Sequence, residues 1–358
     1  MATVAATMIS AVLSYGLQQN PIPGGWLDDR ERDLEKAWSY RPPTNFQPVY
    51  ILGVPQSGTT LLYEWLCQYP EIAYFSVGQL SVVDHYFVSE YLSETLGGLN
   101  LGVDAPDEGV HEFLAMCNHP LIQGKHGLVA AMDILSGPEA VSLGHHTELS
   151  SYIQQLNGRI REQQPAAFLN SYHVHKFQEA VQKSVFTWQR RGRPVNTFLG
   201  KIPAASLTPR LFSYLFPTTR FIHIARAPQQ VLPAFIQAAQ DIQEVPFIAK
   251  RPLSERVMAS YYGLLTKSLH QEVFSPTATV FHLTYENLLQ DPEPWLTRLV
   301  DFIGLTGTPD RLEQGCQHLK NLPVPPETLT MQRVEELIAT YAPEASAHYQ
   351  RTQEASRT

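Results

Sequence analysis

The chain reads as an α/β protein with a mostly parallel central sheet and a largely helical insertion. Two observations carry this reading. The first is a set of short apolar runs: Val49-Tyr-Ile-Leu-Gly53, Thr197-Phe-Leu-Gly-Lys201, Phe221-Ile-His-Ile-Ala225 and Thr277 to Thr284. They are too short for helices, and three of them lack the alternation of a strand with one wet face, which is the pattern of strands covered on both sides. The second is that a helical stretch follows each of them, and strand–helix alternation builds βαβ units.

Composition agrees and excludes several classes. At roughly 150 residues per domain, 358 residues make two domains or one large α/β domain with insertions. A hydrophobic content of 44% excludes a disordered chain. The net charge of −8 argues against a dedicated nucleic-acid binder and leaves room for a local basic pocket. Cys67, Cys117 and Cys316 are odd in number and form no CxxC pair. That opposes a disulfide framework or a zinc ribbon and fits a reducing, cytoplasmic compartment. The chain has no apolar run of 18 residues, so no integral membrane span is expected.

Taken in order, residues 1–48 read as an N-terminal helix and a lead-in. Met1 to Leu27 carries no charged side chain, and Val4, Met8, Ile9, Val12, Leu13 and Leu17 share one helical stripe. The basic start and long apolar run of a secretory signal are missing, so an amphipathic helix packed on the body is expected. Residues 19–48 are rich in Pro, Gly and charge. The main domain spans 49–305, with the insertion at about 73–195, and 306–358 form a C-terminal helical extension. Helices are expected over Leu61–Tyr69, Ser81–Leu96, Val110–Met116, Ser150–Gln163, Tyr172–Arg190, Ser206–Leu215, Gln229–Ile242, Leu253–Gln271, Glu293–Ile303 and Val334–Tyr341.

The most informative segment joins the first strand to its helix: Val54-Pro-Gln-Ser-Gly-Thr-Thr60. Backbone N–H groups at a helix start are unpaired, and the helix dipole adds positive potential, so such a turn binds phosphate or sulfate oxygens. Gly58 allows close backbone approach, and Ser57, Thr59 and Thr60 add hydroxyls, more than an ordinary cap requires. The segment is not a nucleotide triphosphatase loop of the G-x-x-x-x-G-K-[ST] type. Gly53 and Gly58 match its glycines, but Thr59 occupies the lysine position.

Here the sequence resembles a family. The 54–60 loop is similar to the 5′-phosphosulfate loop of sulfotransferases that use 3′-phosphoadenosine 5′-phosphosulfate (PAPS). Phe216-Pro-Thr-Thr-Arg-Phe-Ile-His-Ile-Ala-Arg-Ala-Pro228 resembles that family's FP-x-x-x-F-I-h-h-x-R-x-P element. Thr284-Tyr-Glu-Asn-Leu-Leu-Gln-Asp-Pro292 with Leu299-Val-Asp-Phe-Ile-Gly-Leu305 is similar to its YE–DP–FLGL segment. Leu199-Gly-Lys-Ile-Pro203 resembles its lysine-bearing strand end, and Asp104-Ala-Pro-Asp-Glu to Glu112-Phe an acidic element of bacterial and tyrosylprotein-like members.

The resemblance implies a three-layer P-loop-like fold. It implies transfer of a sulfuryl group from PAPS to a hydroxyl or amine of a small-molecule or glycan acceptor, releasing 3′-phosphoadenosine 5′-phosphate. Sulfuryl carries less charge than phosphoryl, so no metal is required. A homodimer is left open, and no nucleic-acid partner is expected. By the same resemblance Gln56, Ser57, Gly58, Thr59, Thr60 and Leu61 hold the 5′-phosphosulfate, Arg226 the 3′-phosphate, and Tyr285 packs near the cofactor. Thr60 anchors an oxygen, and Lys201 stabilises the transferring group. Three positions depart from the pattern: Gln56 replaces the loop's Lys or Arg, Ala234 replaces a serine, and no Arg-Lys-Gly segment follows near the C-terminus.

For a general base the sequence offers His85 beside Asp84, then His111 with Glu112; a histidine works near neutral pH. His145-His146 and His173-x-His175 lack further ligand spacing, so no metal site is expected. Two rival functions stay open. One is a catalytically impaired PAPS-binding or product-binding protein of the same fold. The other is a nucleotide-dependent phosphotransferase, which Thr59 disfavours.

Overall fold

Strands β1 (Gln47–Leu52), β2 (Ile72–Ala73), β3 (Thr197–Gly200), β4 (Arg220–Ala225) and β5 (Thr279–Thr284) form one sheet in the order β2-β3-β1-β4-β5. The computed structural model describes residues 25–76, 79, 85–96, 171–201, 206, 209–243, 254–275, 279–320 and 329–357. Every pairing in the sheet is parallel. Val49 to Leu52 and Phe221 to Ala225 are buried throughout, as strands that are apolar but for His223 require.

The register sets the site. Tyr50 pairs with Gly200, and Leu52 with His223, so Gly53, Lys201 and Arg226 leave the sheet at one edge. Ala225 pairs with Thr284, which puts Tyr285 alongside Arg226. In open α/β sheets this carboxyl edge is where ligands bind.

The helices are α1 (Trp26–Ala37), α2 (Thr59–Leu66), α3 (Tyr86–Leu96), α4 (Ser171–Arg190), α5 (Pro209–Leu215), α6 (Pro228–Gln243), α7 (Glu255–Glu272), α8 (Tyr285–Gln290), α9 (Pro292–Ile303), α10 (Pro309–Lys320), α11 (Met331–Tyr341) and α12 (Ala345–Ser356). Val334, Leu337, Ile338, Ala342 and Ala345 join the same core as the sheet, so α11 and the start of α12 pack on the main body. α12 lies against β5.

Helix α1 replaces the expected irregular lead-in and takes in Trp26 and Leu27. Residues 1–24, with the rest of the expected N-terminal helix, lie outside the described residues. So do Asp84, His111, Glu112, His145, His146, the acidic element at 104–112 and the helices expected at 110–116 and 150–163.

Helix α1 is held by charge as much as by apolar contact. The buried Glu31 carboxylate accepts from the amides of Phe87 and Val88 at the start of α3. It also accepts from Lys183 Nζ of α4 at 2.7 Å. Lys183 meets Glu35 and Glu179 as well. Burial alone would push the Lys183 ammonium down, but these carboxylates outweigh it and hold its pKa raised.

Four histidines meet between β4, β5, α7 and α12. His223 Nδ1 lies 3.2 Å from His282 Nδ1, and the ring of His348 stacks edge-on to those of His223 and His270. Burial, then the neighbouring histidines and Arg351, lower His348 to about 3. Burial and Arg351 lower His282 to about 4, and burial drives His223 well below its usual range. Among the described residues no group of His, Cys, Asp or Glu is arranged to hold a metal ion. Among the described residues neither Cys67 nor Cys316 forms a disulfide.

Candidate active site

The 54–58 turn departs from ordinary backbone twice. Gln56 has φ 68° and Gly58 has φ 100°, both left-handed, a conformation that costs a side-chain-bearing residue more than glycine. A Cβ on Gly58 would stand 2.7 Å from Tyr285 Cδ2 and 3.1 Å from Ile224 Cδ1. Glycine is therefore required here by approach as well as by φ. Ser206 clamps the entry to the turn: its Oγ accepts from the Gly53 amide and donates to the Gly53 carbonyl, both at 3.0 Å.

Ser57 works inside the turn. It is fully buried, and both its amide and its hydroxyl donate to the Val54 carbonyl, at 3.2 and 2.6 Å. Its hydroxyl thus shapes the loop, whereas the expectation was an outward donor. Thr59 is buried with its methyl toward Gly53, and Gln56 is exposed.

Helix α2 starts at Thr59 with no side-chain cap, and the first α2 amide bonded back to Gly58 is that of Leu62. The amides of Thr59, Thr60 and Leu61 are among the donors that an α-helix leaves without an intrahelical partner. With the dipole behind them they suit an anion.

Two cations converge on this turn from the strands on either side of β1. Lys201 is 6% exposed at the end of β3, and its Nζ donates to Thr60 Oγ1 at 2.7 Å. Thr60, partly exposed, keeps its own hydroxyl proton to donate. Arg226, at the end of β4, donates from Nη1 to the Gln56 carbonyl at 3.2 Å and from Nε to Gln230 Oε1 at 3.1 Å. Its guanidinium lies over the Tyr285 ring, 4.5 Å from the centroid, a cation–π arrangement. Burial raises the Tyr285 phenol, with Arg226 opposing it.

Lys201, Thr60, Gln56, Gly58, Arg226 and Tyr285 are thus brought together. His85 belongs to another group. Its Nε2 lies 3.2 Å from Asp28 Oδ1 on α1, and the next residue, Tyr86, stacks on Phe75, which packs on Phe198 of β3. Ala234 sits part-exposed on α6. Two residues that hold the site escaped the sequence reading: Ser206, and Glu286, whose Oε1 accepts from the Ala227 amide at 2.9 Å. The signal for Glu286 was its place after Tyr285 in the YE segment.

With this geometry in hand, comparison with known proteins is informative. The omega-hydroxy-beta-dihydromenaquinone-9 sulfotransferases Stf3 of Mycobacterium bovis and Mycobacterium tuberculosis are each 24% identical over 275 residues, 72% of this chain. The chain spans 63% of the length of these curated relatives. Among solved structures, sulfotransferase STF9 from Mycobacterium avium aligns with a TM-score of 0.54 at 15% identity, over 88% of this chain and 80% of that one. STF1 from Mycobacterium tuberculosis aligns at 0.53 and 11% identity, over 93% and 83%. These two share the fold. The model of the Sulfotransferase family matches residues 48–310, a stretch that takes in all five strands, the 54–60 turn, Lys201, Arg226 and Tyr285, so the chain belongs to the sulfotransferase family.

Proposed function

We propose that this protein is a PAPS-dependent sulfotransferase acting on the hydroxyl of a small-molecule acceptor that carries an apolar chain. One observation carries the reading: the uncapped start of α2 lies between Lys201 and Arg226, so an anion seated there meets backbone donors and two cations at once. The family supports the transfer. The relatives named for sulfating a hydroxylated menaquinone support the acceptor class, narrower than the small-molecule or glycan hydroxyl or amine expected from sequence.

The donor, when bound, supplies a sulfuryl group already activated by a phosphate leaving group. The residues present fit it, since the uncapped amides at the start of α2 stand with Lys201 and Arg226, two cations bonded to the same turn. The amides of Gly58 to Leu61 would hold the 5′-phosphosulfate, and Thr60 would donate its hydroxyl to an oxygen. Lys201 would neutralise the charge that shifts toward the leaving group, where a preorganised donor counts most. Arg226 would take the 3′-phosphate, its planar fork matching two oxygens. Gln56 presents a neutral donor where relatives of this pattern carry a cation, so Lys201 bears that task alone. No group gathered at the turn is assigned to proton removal; the sequence reading names His85, whose ring stands with Asp28. The odd number of cysteines, with no CxxC pair, suits a cytoplasmic compartment. No helix among the described residues is long and apolar enough to cross a membrane.

The test is calorimetric titration with 3′-phosphoadenosine 5′-phosphate, followed by an assay of sulfate transfer from PAPS to polyprenyl alcohols and quinol ω-alcohols. Saturable binding and transfer support the proposal. Binding without turnover on any hydroxyl or amine acceptor favours the impaired nucleotide binder, for which Gln56 is the supporting residue. No binding overturns the donor assignment.

A further inference from the structure

Glu286 takes none of the roles above, yet it is joined to the segment that carries Arg226. The Ala227 amide that it accepts belongs to the residue next to Arg226. Ala227 in turn starts α6, its carbonyl accepting from the amides of Gln230 and Val231. The carboxylate therefore satisfies an orphan donor at a helix start and complements its dipole. Its other oxygen, Oε2, is buried. Tyr349 of α12 stands beside it. Burial first, and then the neighbouring Glu286 carboxylate, raise the Tyr349 phenol. The residues flanking Glu286 repeat the pattern. Tyr285 bears the guanidinium of Arg226 on its ring, and Asn287 reaches Ser356 of α12, Nδ2 to Oγ at 3.4 Å. One tripeptide, 285–287, thus touches the Arg226 turn on one side and the C-terminal helix on the other. That helix lies beyond the 48–310 stretch shared with the family.

We propose that Glu286, backed by Tyr349, is a positioning residue that fixes the Arg226–Ala227 turn, so that the C-terminal helix α12 completes the grip on the 3′-phosphate. This rests on the reading of Arg226 as the 3′-phosphate ligand. A guanidinium on a long flexible side chain recognises two oxygens only when its base is held, and here the base is a turn closed by one hydrogen bond from outside. The Glu286 bond runs to Ala227, and the 54–60 turn is reached from here through Arg226 and Tyr285, so the larger effect should fall on the 3′ end.

The experiment titrates the full chain and its Glu286→Ala, Glu286→Gln and Tyr349→Ala variants with 3′-phosphoadenosine 5′-phosphate and with adenosine 5′-phosphosulfate, each variant also being melted. Glu286→Ala should lose about tenfold or more in affinity for the 3′-phosphorylated nucleotide and less for the other. Glu286→Gln, whose amide oxygen still accepts from Ala227, should restore it. Tyr349→Ala should shift it the same way by less. Equal losses for both nucleotides, or no loss in a variant that melts like the parent, overturn the proposal. Should Glu286→Ala melt too low to titrate, Tyr349→Ala decides, and parental behaviour there removes α12 from the site. Failure of the underlying reading has a different signature, the parent chain binding no 3′-phosphorylated nucleotide, and it overturns both.

Discussion

The Lys201 ammonium donates to the Thr60 hydroxyl across 2.7 Å, and this bond fastens the end of β3 to the first turn of α2. A 6%-exposed ammonium would be costly without a partner. The Thr60 hydroxyl carries no countercharge, so an anion bound beside it would strengthen the contact. Lys201→Ala should lower turnover by two or more orders of magnitude, corresponding to about 2.7–4 kcal/mol of transition-state stabilisation. Affinity for the bisphosphate product should change much less, because the interaction grows as charge shifts in the transition state. Gln56→Lys should keep or raise activity. Near-parental kcat in Lys201→Ala would move the stabilising charge elsewhere.

Gly58→Val should abolish nucleotide binding. The new side chain would start 2.7 Å from the Tyr285 ring at φ 100°, so it would push apart the turn and the ring on which Arg226 rests. The same strain should reach stability, by roughly 1–3 kcal/mol, so melting and titration are measured together. A variant that binds the product normally would show that no ligand approaches the turn at this point.

Arg226→Ala should weaken 3′-phosphorylated nucleotides by about 10- to 150-fold, or about 1.5–3 kcal/mol for a charge-assisted contact, and spare adenosine 5′-phosphosulfate. The variant also frees the Gln56 carbonyl, so a parallel loss for both nucleotides would mean that the arginine serves the loop and not the ligand.

The histidine group sets a pH dependence of stability. His282 and His348 are lowered to about 4 and about 3, against about 6.5 in an unfolded chain. Between those values the unfolded state binds more protons than the folded one, so stability rises with pH through this window and falls as the pH drops from about 6.5 toward 4. Among the described residues His348 Nδ1 has no hydrogen-bond partner, so His348→Phe forfeits no such bond at that atom and removes one proton-uptake site. Its melting temperature should fall less steeply with acid than the parent's. Parallel curves would assign the acid limb to carboxylates instead.

Much of the sheet could be read from sequence, because buried parallel strands are near-continuous apolar runs and Val49 to Leu52 and, but for His223, Phe221 to Ala225 are such runs. Arg226 was legible because it follows the end of β4 directly, and Gly58 because it lies in the turn that joins β1 to its helix. Helix α1 was not. Its sequence, WLDDRERDLEKA, has a weak apolar stripe, and what fixes it is the Glu31 carboxylate meeting Lys183, some 150 residues away. The two-residue β2 is too short to leave a pattern. The partnership of Lys201 with Thr60, and of Glu286 with Ala227, arises from register between strands, which no local window contains. His85 could be picked as a titratable group near neutrality, but its tie to Asp28 could not.

The left-handed backbone at Gln56 separates the shape of the loop from its charge. Its φ of 68° disfavours any unbranched L side chain to a similar degree and a β-branched one more, while the bond from Arg226 reaches only its carbonyl. Exchanging glutamine for lysine or arginine should therefore keep the path of the chain and change the field at the turn, where the proposed donor would sit. Residue 56 behaves as a dial set into a rigid frame, where cationic strength can be raised or lowered without rebuilding what surrounds it.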